Sequence, residues 1–295
     1  MALAQFIVNG LLVGALFAAV AVGFALIWGV VDIINLAHGE MVMLGGYTAY
    51  WALALTTGTA RGGPLVVLAT LPLVVGVLFA VGYLLQRVLV KRVMGTDVFL
   101  TLLVTFGASI AIQQLALRAW TANPRSIQVE LADPSLVLGG VVVPKMKLVA
   151  FLGAFVLTGA LWAFLQRSRT GRAIRAVSQN PEAAALVGID VEHTRATTFG
   201  LSSAIAGAVG VFVATILNVQ PQMGLIYTLK SFVIVVFGGV GSIPGALLGG
   251  LLLGSVEETV AGVISSQWTL AVSFSLLIVL LIVKPNGLFG QEASE

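Results

Sequence analysis

The chain has 295 residues, of which 59% are hydrophobic and only 9% are charged, and its formal net charge is +3. A soluble domain carries about 25% charged residues, so most of this chain must lie in lipid, which excludes a soluble enzyme, a secreted domain and a single-pass anchor. A lipid-facing β-barrel is also excluded, because its strands would alternate in polarity at every second residue. The chain contains no cysteine, which excludes disulfides and cysteine-based metal sites.

Eight runs without a charged residue account for most of the chain. Several of them reach the roughly 20 residues that a helix needs to cross a bilayer core. The predicted fold class is therefore an all-α, polytopic transmembrane helical bundle with eight to ten spans. The predicted segments are 5–30, 38–57, 64–86, 97–118, 148–166, 196–217, 225–240, 244–264 and 267–283. The segment 225–240 is short and contains Lys230, which favours a half-helix there.

Basic residues concentrate between the apolar runs. The segment 87–97 carries three of them, and 167–195 carries five of the fifteen in the chain. The positive-inside rule places both segments in the cytoplasm. The segment 119–147 and the N-terminus then lie outside, and the C-terminal tail after Lys284 lies inside. The positive net charge thus indicates membrane topology and not nucleic-acid binding.

The sequence lacks the usual catalytic patterns. It has no His-Glu-x-x-His, and the dipeptide Gly-Lys is absent, so there is no phosphate-binding P-loop. Ser202, in a Gly-Leu-Ser-Ser string, resembles an intramembrane protease serine, but such a serine needs a base within hydrogen-bond reach. The two histidines, His38 and His193, are placed elsewhere, so helix packing is the better explanation of Ser202.

Ionisable residues within the apolar segments would mark a proton or ion pathway. We expect them only near segment ends, at Asp32, Glu40, Lys230, Glu257 and Glu258. This distribution argues against a proton-coupled transporter.

The first informative stretch, 32–40, interrupts two apolar runs with polar residues. Non-helical backbone at membrane depth is tolerated only where protein or a water-filled cavity surrounds it, and broken helices mark transport sites. Asn35, His38, Gly39 and Glu40 are therefore candidates to line or hinge a translocation path. An interfacial turn with a helix N-cap explains the same pattern equally well.

The second stretch, 238–245, is rich in glycine and predicts a break between two helices, with Pro244 in the first turn of the second. Residues of the loop are further candidates for the path or a hinge: Gly238, Gly239, Gly241 and Ser242. Small residues then recur four apart, which lets helix backbones approach closely. We expect a packing role for Gly245, Ala246, Gly249, Gly250 and Gly254.

The third stretch is a short helix within the polar segment 167–195. Asn180 can cap it, Pro181 suits its first position, Glu182 suits its positive end, and Gly188 ends it. A short helix of small apolar residues has little to bury on its own, which favours docking into a groove of another protein. A helix lying on the bilayer surface is the alternative.

These stretches together resemble one family over nearly the whole chain. The strings are INLAHGE at 34–40, MLGGY at 43–47, GRAIRA at 171–176 and GGVGSIPGA at 238–246. They are similar to those of permease subunits of bacterial branched-chain amino-acid ABC importers of the Liv type. The strings are less specific for the solute, since related permeases for urea and short amides share them.

The resemblance implies one permease domain over 1–295, with two pseudo-symmetric halves and a cytoplasmic coupling loop at 167–195. It also implies a second similar permease subunit, two ATPase subunits and an extracytoplasmic solute-binding protein. The chain would be a transport subunit of the inner membrane, without catalytic residues or a cofactor. The implied contact with the ATPases comprises Gly171, Arg172, Arg175, Glu182, Ala183, Ala184 and Gly188. The Ile-x-Leu-Pro that completes the ABC importer coupling motif is missing, which puts the detailed docking contacts in question.

We therefore expect a permease that translocates branched-chain or other small amino acids. Closure of the ATPases would pull on 171–190 and tilt the helices around 35–40 and 238–245. A urea or short-amide permease of the same family is the alternative. A stand-alone secondary transporter or channel is the alternative from a different class, and it would have no need of the loop at 182–188.

Overall fold

The computed structural model describes residues 2–95, 97–131, 134–284 and 287, so most of the C-terminal tail lies outside the described residues. The helices are α1 (Ala2–Val31), α2 (His38–Thr57), α3 (Pro64–Leu68), α4 (Leu71–Val88), α5 (Val98–Trp120), α6 (Lys145–Arg167), α7 (Arg169–Gln179), α8 (Pro181–Leu186), α9 (Val191–Ile216), α10 (Gly224–Gly238), α11 (Ile243–Val263) and α12 (Thr269–Val283). Single 3-10 turns lie at Val90–Arg92, Pro221–Met223 and Ser266–Trp268. The strands are β1 (Arg61–Gly62) with β2 (Gln128–Val129), which are parallel, and β3 (Ser135–Leu138) with β4 (Val141–Pro144), which are antiparallel.

The predicted helical bundle is confirmed. Within the described part of the chain, eight helical stretches are long and apolar enough to cross a membrane. They do not include α2, although that helix has 20 residues and matches the predicted segment 38–57. The division into two pseudo-symmetric halves remains a prediction.

Two helices, α1 and α9, form the centre of the bundle. Both are buried along most of their length and on all sides, as expected of helices that are apolar all round. Around them, α6, α10 and α11 pack on α1, while α2 and α4 pack on α9. The outer helices α5 and α12 bury only a narrow stripe each.

Small residues bring α11 into backbone contact with α1. A Cβ atom added to Gly254 would lie 2.3 Å from the Cα of Gly14, and one added to Gly250 would lie 2.5 Å from the Cα of Ala18. Real side chains do not approach this closely. Gly250 and Gly254 therefore lie where the α1–α11 contact excludes any larger residue.

The other small residues of α11 face α10. A Cβ atom on Gly245 would lie 2.1 Å from the carbonyl oxygen of Gly238, and one on Gly249 would lie 3.1 Å from that of Ile234. Ala246 is completely buried. The residues for which the sequence suggested packing thus lie at two helix contacts, with α1 and with α10.

Gly249→Leu is expected to lower the melting temperature of the detergent-solubilised protein. The leucine must push α10 away from α11, and overpacking of this kind costs about 1–3 kcal/mol. Gly107→Leu in α5 is the matched control, because nothing lies within 4 Å of a Cβ atom there. Equal melting temperatures for the two variants would show that Gly249 has no packing role.

Candidate functional site

The connection between α1 and α2 runs back into the bundle. The chain leaves α1 at Asp32, where φ is 57°. The Nε2 atom of His38, the first residue of α2, lies 3.0 Å from the carbonyl oxygen of Val20. At 1.5 Å per residue, Val20 lies about 16 Å back along α1 from Val31. The connection is therefore re-entrant, and the first residue of α2 lies beside Val20, within the length of α1 and not at its end.

A second helix, α10, begins at the same level. The Gly39 amide donates a hydrogen bond to Thr228 Oγ1 at 2.8 Å, and that hydroxyl donates to the Leu36 carbonyl at 3.2 Å. A Cβ atom on Gly39 would lie 1.9 Å from the carbonyl oxygen of Gly224. The first turns of α2 and α10 thus touch inside the bundle. Discontinuous helices whose N-termini meet in this way form the solute sites of several transporter folds.

Hydroxyl groups of α5 hold this junction. The Leu36 amide donates to Thr105 Oγ1 at 3.3 Å, and the same hydroxyl lies 3.3 Å from the Ile34 carbonyl oxygen. Ser109 donates to Glu40 Oε1 at 2.8 Å. We call the segment 33–40, with Thr105, Ser109, Gly224 and Thr228, the helix junction.

The helix junction contains polar atoms that lack a partner. Asn35, His38 and Glu40 are at most 1% exposed. Within the described residues, Asn35 Nδ2, His38 Nδ1 and Glu40 Oε2 have no hydrogen-bond partner. Glu40 Oε2 also faces Gly224, where an added Cβ atom would lie 2.3 Å from it. Buried polar groups are nearly always hydrogen-bonded, so these atoms mark a place where a polar ligand could bind.

The glycine-rich loop lies at the other end of α10. Gly239 and Gly241 have φ values of 97° and 78°, which favour glycine. Ser242 caps α11 by accepting a hydrogen bond from the Gly245 amide at 3.1 Å, and Pro244 lies in the first turn, as predicted. Since α10 has 15 residues, the loop is about 22 Å from the helix junction. The predicted path residues therefore occupy two places: Asn35, His38, Gly39 and Glu40 lie at the junction, and Gly238, Gly239, Gly241 and Ser242 lie at the loop.

Helix α7 folds back onto the end of α6. The Arg175 guanidinium donates to the Leu165 carbonyl and, at 3.1 Å, to Gln166 Oε1. Gly171 is buried, and a Cβ atom there would lie 2.4 Å from the Leu165 carbonyl oxygen. Arg175 also lines a cleft that it shares with Gly241 of the glycine-rich loop. The predicted coupling segment and the loop are thus neighbours.

Helix α8 has the local structure that its sequence predicted. Asn180 Oδ1 accepts from the Ala183 amide at 2.9 Å, Pro181 occupies the first turn, and Gly188 ends the helix with φ of 84°. Among the predicted coupling residues, those that face outward are Arg172, Glu182, Ala183 and Gly188, whereas Ala184 is buried.

The end of α8 presents apolar side chains. Leu186 is 89% exposed and Val187 is 76% exposed. They belong to a polar segment between two membrane-crossing stretches, α6 and α9. This α8 tip, Leu186 with Val187, is an exposed apolar surface.

An ion pair that was not predicted from the sequence lies largely buried in the bundle. Lys230 Nζ lies 2.6 Å from Glu257 Oε2, and the two side chains are 14% and 7% exposed. Ser273 donates to Glu257 Oε1 at 2.7 Å, and Lys230 Nζ lies 4.1 Å from the ring centroid of Phe17. The expectation that Lys230 lies near a segment end is wrong, since it is the seventh of 15 residues in α10. A carboxylate 27 positions away stabilises its charge there.

Catalytic groups do not come together in the described residues. Ser202 donates to the Gly23 carbonyl at 2.7 Å, which is a helix-packing contact. His193 Nδ1 lies within hydrogen-bond distance of the Tyr83 hydroxyl, at 3.1 Å. No group of three His, Cys, Asp or Glu that could hold a metal ion is found in the part of the chain that the structure describes.

Comparisons with known proteins find a family of membrane transport permeases. Residues 6–281 match the model of a family described as the branched-chain amino acid transport system permease component. The permease protein BraD of the high-affinity branched-chain amino acid transport system of Pseudomonas aeruginosa is 35% identical over 99% of this chain and 97% of its own length. The corresponding LivH of Escherichia coli is 33% identical over 97% and 95%. The fructose import permease FrcC of Rhizobium meliloti is 36% identical, but over 42% of this chain and 35% of its own. No solved structure matches.

Proposed function

The chain belongs to the permease component family of branched-chain amino-acid ABC importers, and on that premise we propose that segment 167–195 is the element through which the ATPases drive it. Membership makes the chain a multi-pass membrane transport subunit and not an enzyme. ATP hydrolysis belongs to a separate subunit, and a binding protein delivers the solute.

The solute is a branched-chain amino acid. Relatives that match over nearly the full length are permeases for these amino acids, whereas the sugar permeases match less than half of the chain. A urea or short-amide permease and a stand-alone transporter are therefore not favoured.

The α8 tip is the observation that supports the coupling role. Leu186 and Val187 are exposed. Covering their side chains with a partner is favourable by a free energy of about 25 cal/mol per Å² of apolar surface buried. Glu182 and Gly188 flank this surface and are themselves exposed. A hydrophobic groove on an ATPase subunit would bind the α8 tip, so that movement of the ATPase would move α8.

Movement of α8 has a short route to the glycine-rich loop. Arg175 ties α7 to the end of α6 and lines the same cleft as Gly241, so we expect a pull on α8 to reach the loop when that cleft closes. From there α10 is one continuous helix as far as Gly224 at the helix junction. In this proposal the loop acts as a hinge, and α10 transmits its movement to the residues that line the path.

The remaining features of the assembly follow from charge and family. The N-terminus lies outside and the C-terminus inside, because 87–97 and 167–195 concentrate the basic residues. A second, similar permease pairs with this chain, and two ATPases bind the pair. The whole of 1–295 acts as one permease domain.

Combining Glu182→Lys with Gly188→Trp tests the coupling role. The lysine reverses a charge beside the α8 tip, and the tryptophan is strained at a position where φ is 84°. The complex should still insert but should lose solute-stimulated ATP hydrolysis in proteoliposomes.

The matched control combines Glu130→Lys with Gly58→Trp. It makes the same two changes at an exposed acid and at a glycine with φ of 75° and no neighbour within 4 Å, both far from α8. The control complex should hydrolyse ATP normally. Normal solute-stimulated hydrolysis by the Glu182/Gly188 variant would refute the coupling role.

A further inference from the structure

Polar and aromatic side chains lie where α5 packs against α2 and against the connection that precedes α2. On α5, Thr101, Thr105 and Ser109 are buried at a spacing of four, which places them on one helix face. On α2, residues on one face recur at positions 40, 44, 47 and 51. We define the α2–α5 seam as Glu40, Tyr47 and Trp51 of α2 with Thr101, Thr105, Ser109 and Trp120 of α5.

An arginine without a carboxylate partner closes the outer end of the seam. Arg125 lies 5.3 Å from the ring centroid of Tyr50 and 5.2 Å from that of Trp51. It donates at 3.3 Å to the Tyr50 hydroxyl and to the Trp120 carbonyl, and Trp120 stacks on Tyr47 at 4.3 Å. Among the described residues, no carboxylate forms an ion pair with Arg125. Its charge is therefore available to an anionic group that enters the seam.

A cleft opens at the inner end of the seam. Thr101, one turn before Thr105, lines it together with Asp32 and Arg195. Its volume is about 360 Å³. The inner mouth thus offers one negative and one positive side chain beside the hydroxyl stripe of α5.

Glu40 is the acidic residue between the two mouths. One carboxylate oxygen accepts from Ser109, and the other has no partner within the described residues. Leaving a buried carboxylate oxygen unpaired costs the desolvation of that group, because nothing replaces its hydrogen bonds to water. A cationic group that reached Glu40 would recover that energy through a charge-assisted hydrogen bond.

We propose that the α2–α5 seam is the route by which the solute passes this chain, and that Glu40 binds the α-ammonium group of the amino acid there. This rests on the proposed function of amino-acid import. The first turns of α2 and α10, which meet beside Glu40, present the positive helix ends that suit the solute carboxylate. Arg125 attracts that carboxylate at the outer mouth. A neutral amide would offer Glu40 only an uncharged donor, and a charge-assisted hydrogen bond is roughly twice as strong, so the seam favours amino acids.

Opening the seam requires little backbone disruption. Hydroxyls of Thr105 and Ser109 hold α5 to the junction, while large apolar side chains on its other faces point away from the bundle, among them Leu103, Phe106 and Ile110. Parting α5 from α2 therefore breaks side-chain contacts and leaves both helices intact.

Thiol labelling tests the route, because the chain has no cysteine of its own. Ser109→Cys and its neighbour Ile110→Cys are compared in the complete complex in proteoliposomes. A membrane-impermeant cationic methanethiosulfonate is added during turnover with ATP, binding protein and leucine. Ser109→Cys should be modified and lose uptake, whereas Ile110→Cys should stay unmodified. Absence of modification at Ser109→Cys in an active complex overturns the route.

Glu40→Gln tests the ammonium contact. Glutamine keeps the shape and can still accept from Ser109, so the melting temperature should stay near that of the wild type. The KM for leucine uptake should rise about tenfold or more, as expected for the loss of one charged hydrogen bond. An unchanged KM overturns the proposal. If Glu40→Gln does not assemble, the labelling decides, and an unmodified Ser109→Cys then overturns the proposal. If the wild-type complex itself lacked leucine uptake, the proposed function would be wrong instead.

Discussion

Lys230→Met is expected to destabilise the protein by about 3–5 kcal/mol, the usual cost of leaving one buried charge without its partner. Glu257 would keep its bond from Ser273 but would lose the ammonium group 2.6 Å away. Thermal unfolding of the detergent-solubilised protein measures the effect. The double variant Lys230→Met with Glu257→Gln should recover most of the loss, because replacing both charges of a buried pair is often nearly neutral.

Lys147→Met is the matched control. Lys147 lies 4.0 Å from Glu258, and these side chains are 22% and 34% exposed. Such a pair contributes only about 0–1 kcal/mol, so the control should melt close to the wild type. Equal melting temperatures for Lys230→Met and Lys147→Met would show that the buried pair does not stabilise the bundle.

The ion pair matters because of what α10 connects. Lys230 lies between Gly224, at the helix junction, and Gly238, at the glycine-rich loop. Its partners belong to α11 and, through Ser273, to α12, while Phe17 of α1 lies under the ammonium group. The pair therefore ties the middle of α10 to its neighbours α11, α12 and α1, between the helix junction and the glycine-rich loop.

Local features were predicted well because neighbouring residues determine them. Asn180 and Pro181 specify the start of α8 through a side-chain cap and a fixed φ. Gly188 specifies its end for the same kind of reason, since glycine adopts positive φ at little cost. The break after Asp32 was also visible, because polar residues interrupt two long apolar runs.

Features that depend on distant partners could not be predicted in the same way. How far the segment after Asp32 returns along α1 depends on contacts with α5 and α10, some 70 and 190 positions away. The pairing of Lys230 with Glu257 could not be predicted, because no local sequence pattern relates two residues 27 positions apart in different helices. One signal was present but not used, namely the recurrence of Thr101, Thr105 and Ser109 at a spacing of four. That spacing indicates a polar face on an otherwise apolar helix.

Gly39→Ala should abolish leucine uptake and lower the melting temperature. The added Cβ atom would lie 1.9 Å from the Gly224 carbonyl oxygen and 2.7 Å from the Thr228 amide nitrogen. Both atoms belong to the backbone of α10, so no side chain can move aside and the two helices must separate. Separation breaks the bond from the Gly39 amide to Thr228 and the bond from Thr228 to Leu36. The cost should reach or exceed the roughly 1–3 kcal/mol of ordinary overpacking.

Two further alanine variants separate the junction from packing in general. Gly107→Ala adds a methyl group where nothing lies within 4 Å and should be neutral or stabilising by up to about 1 kcal/mol, the helix propensity gained. Gly45→Ala would bring a Cβ atom within 2.1 Å of the Gly207 carbonyl oxygen on α9, away from the helix junction. It should lower the melting temperature as Gly39→Ala does. If the folded fraction of Gly45→Ala takes up leucine and that of Gly39→Ala does not, the loss is assigned to the junction, because the first turns of α2 and α10 meet at Gly39 and not at Gly45. Normal uptake by Gly39→Ala would instead show that those turns separate without consequence.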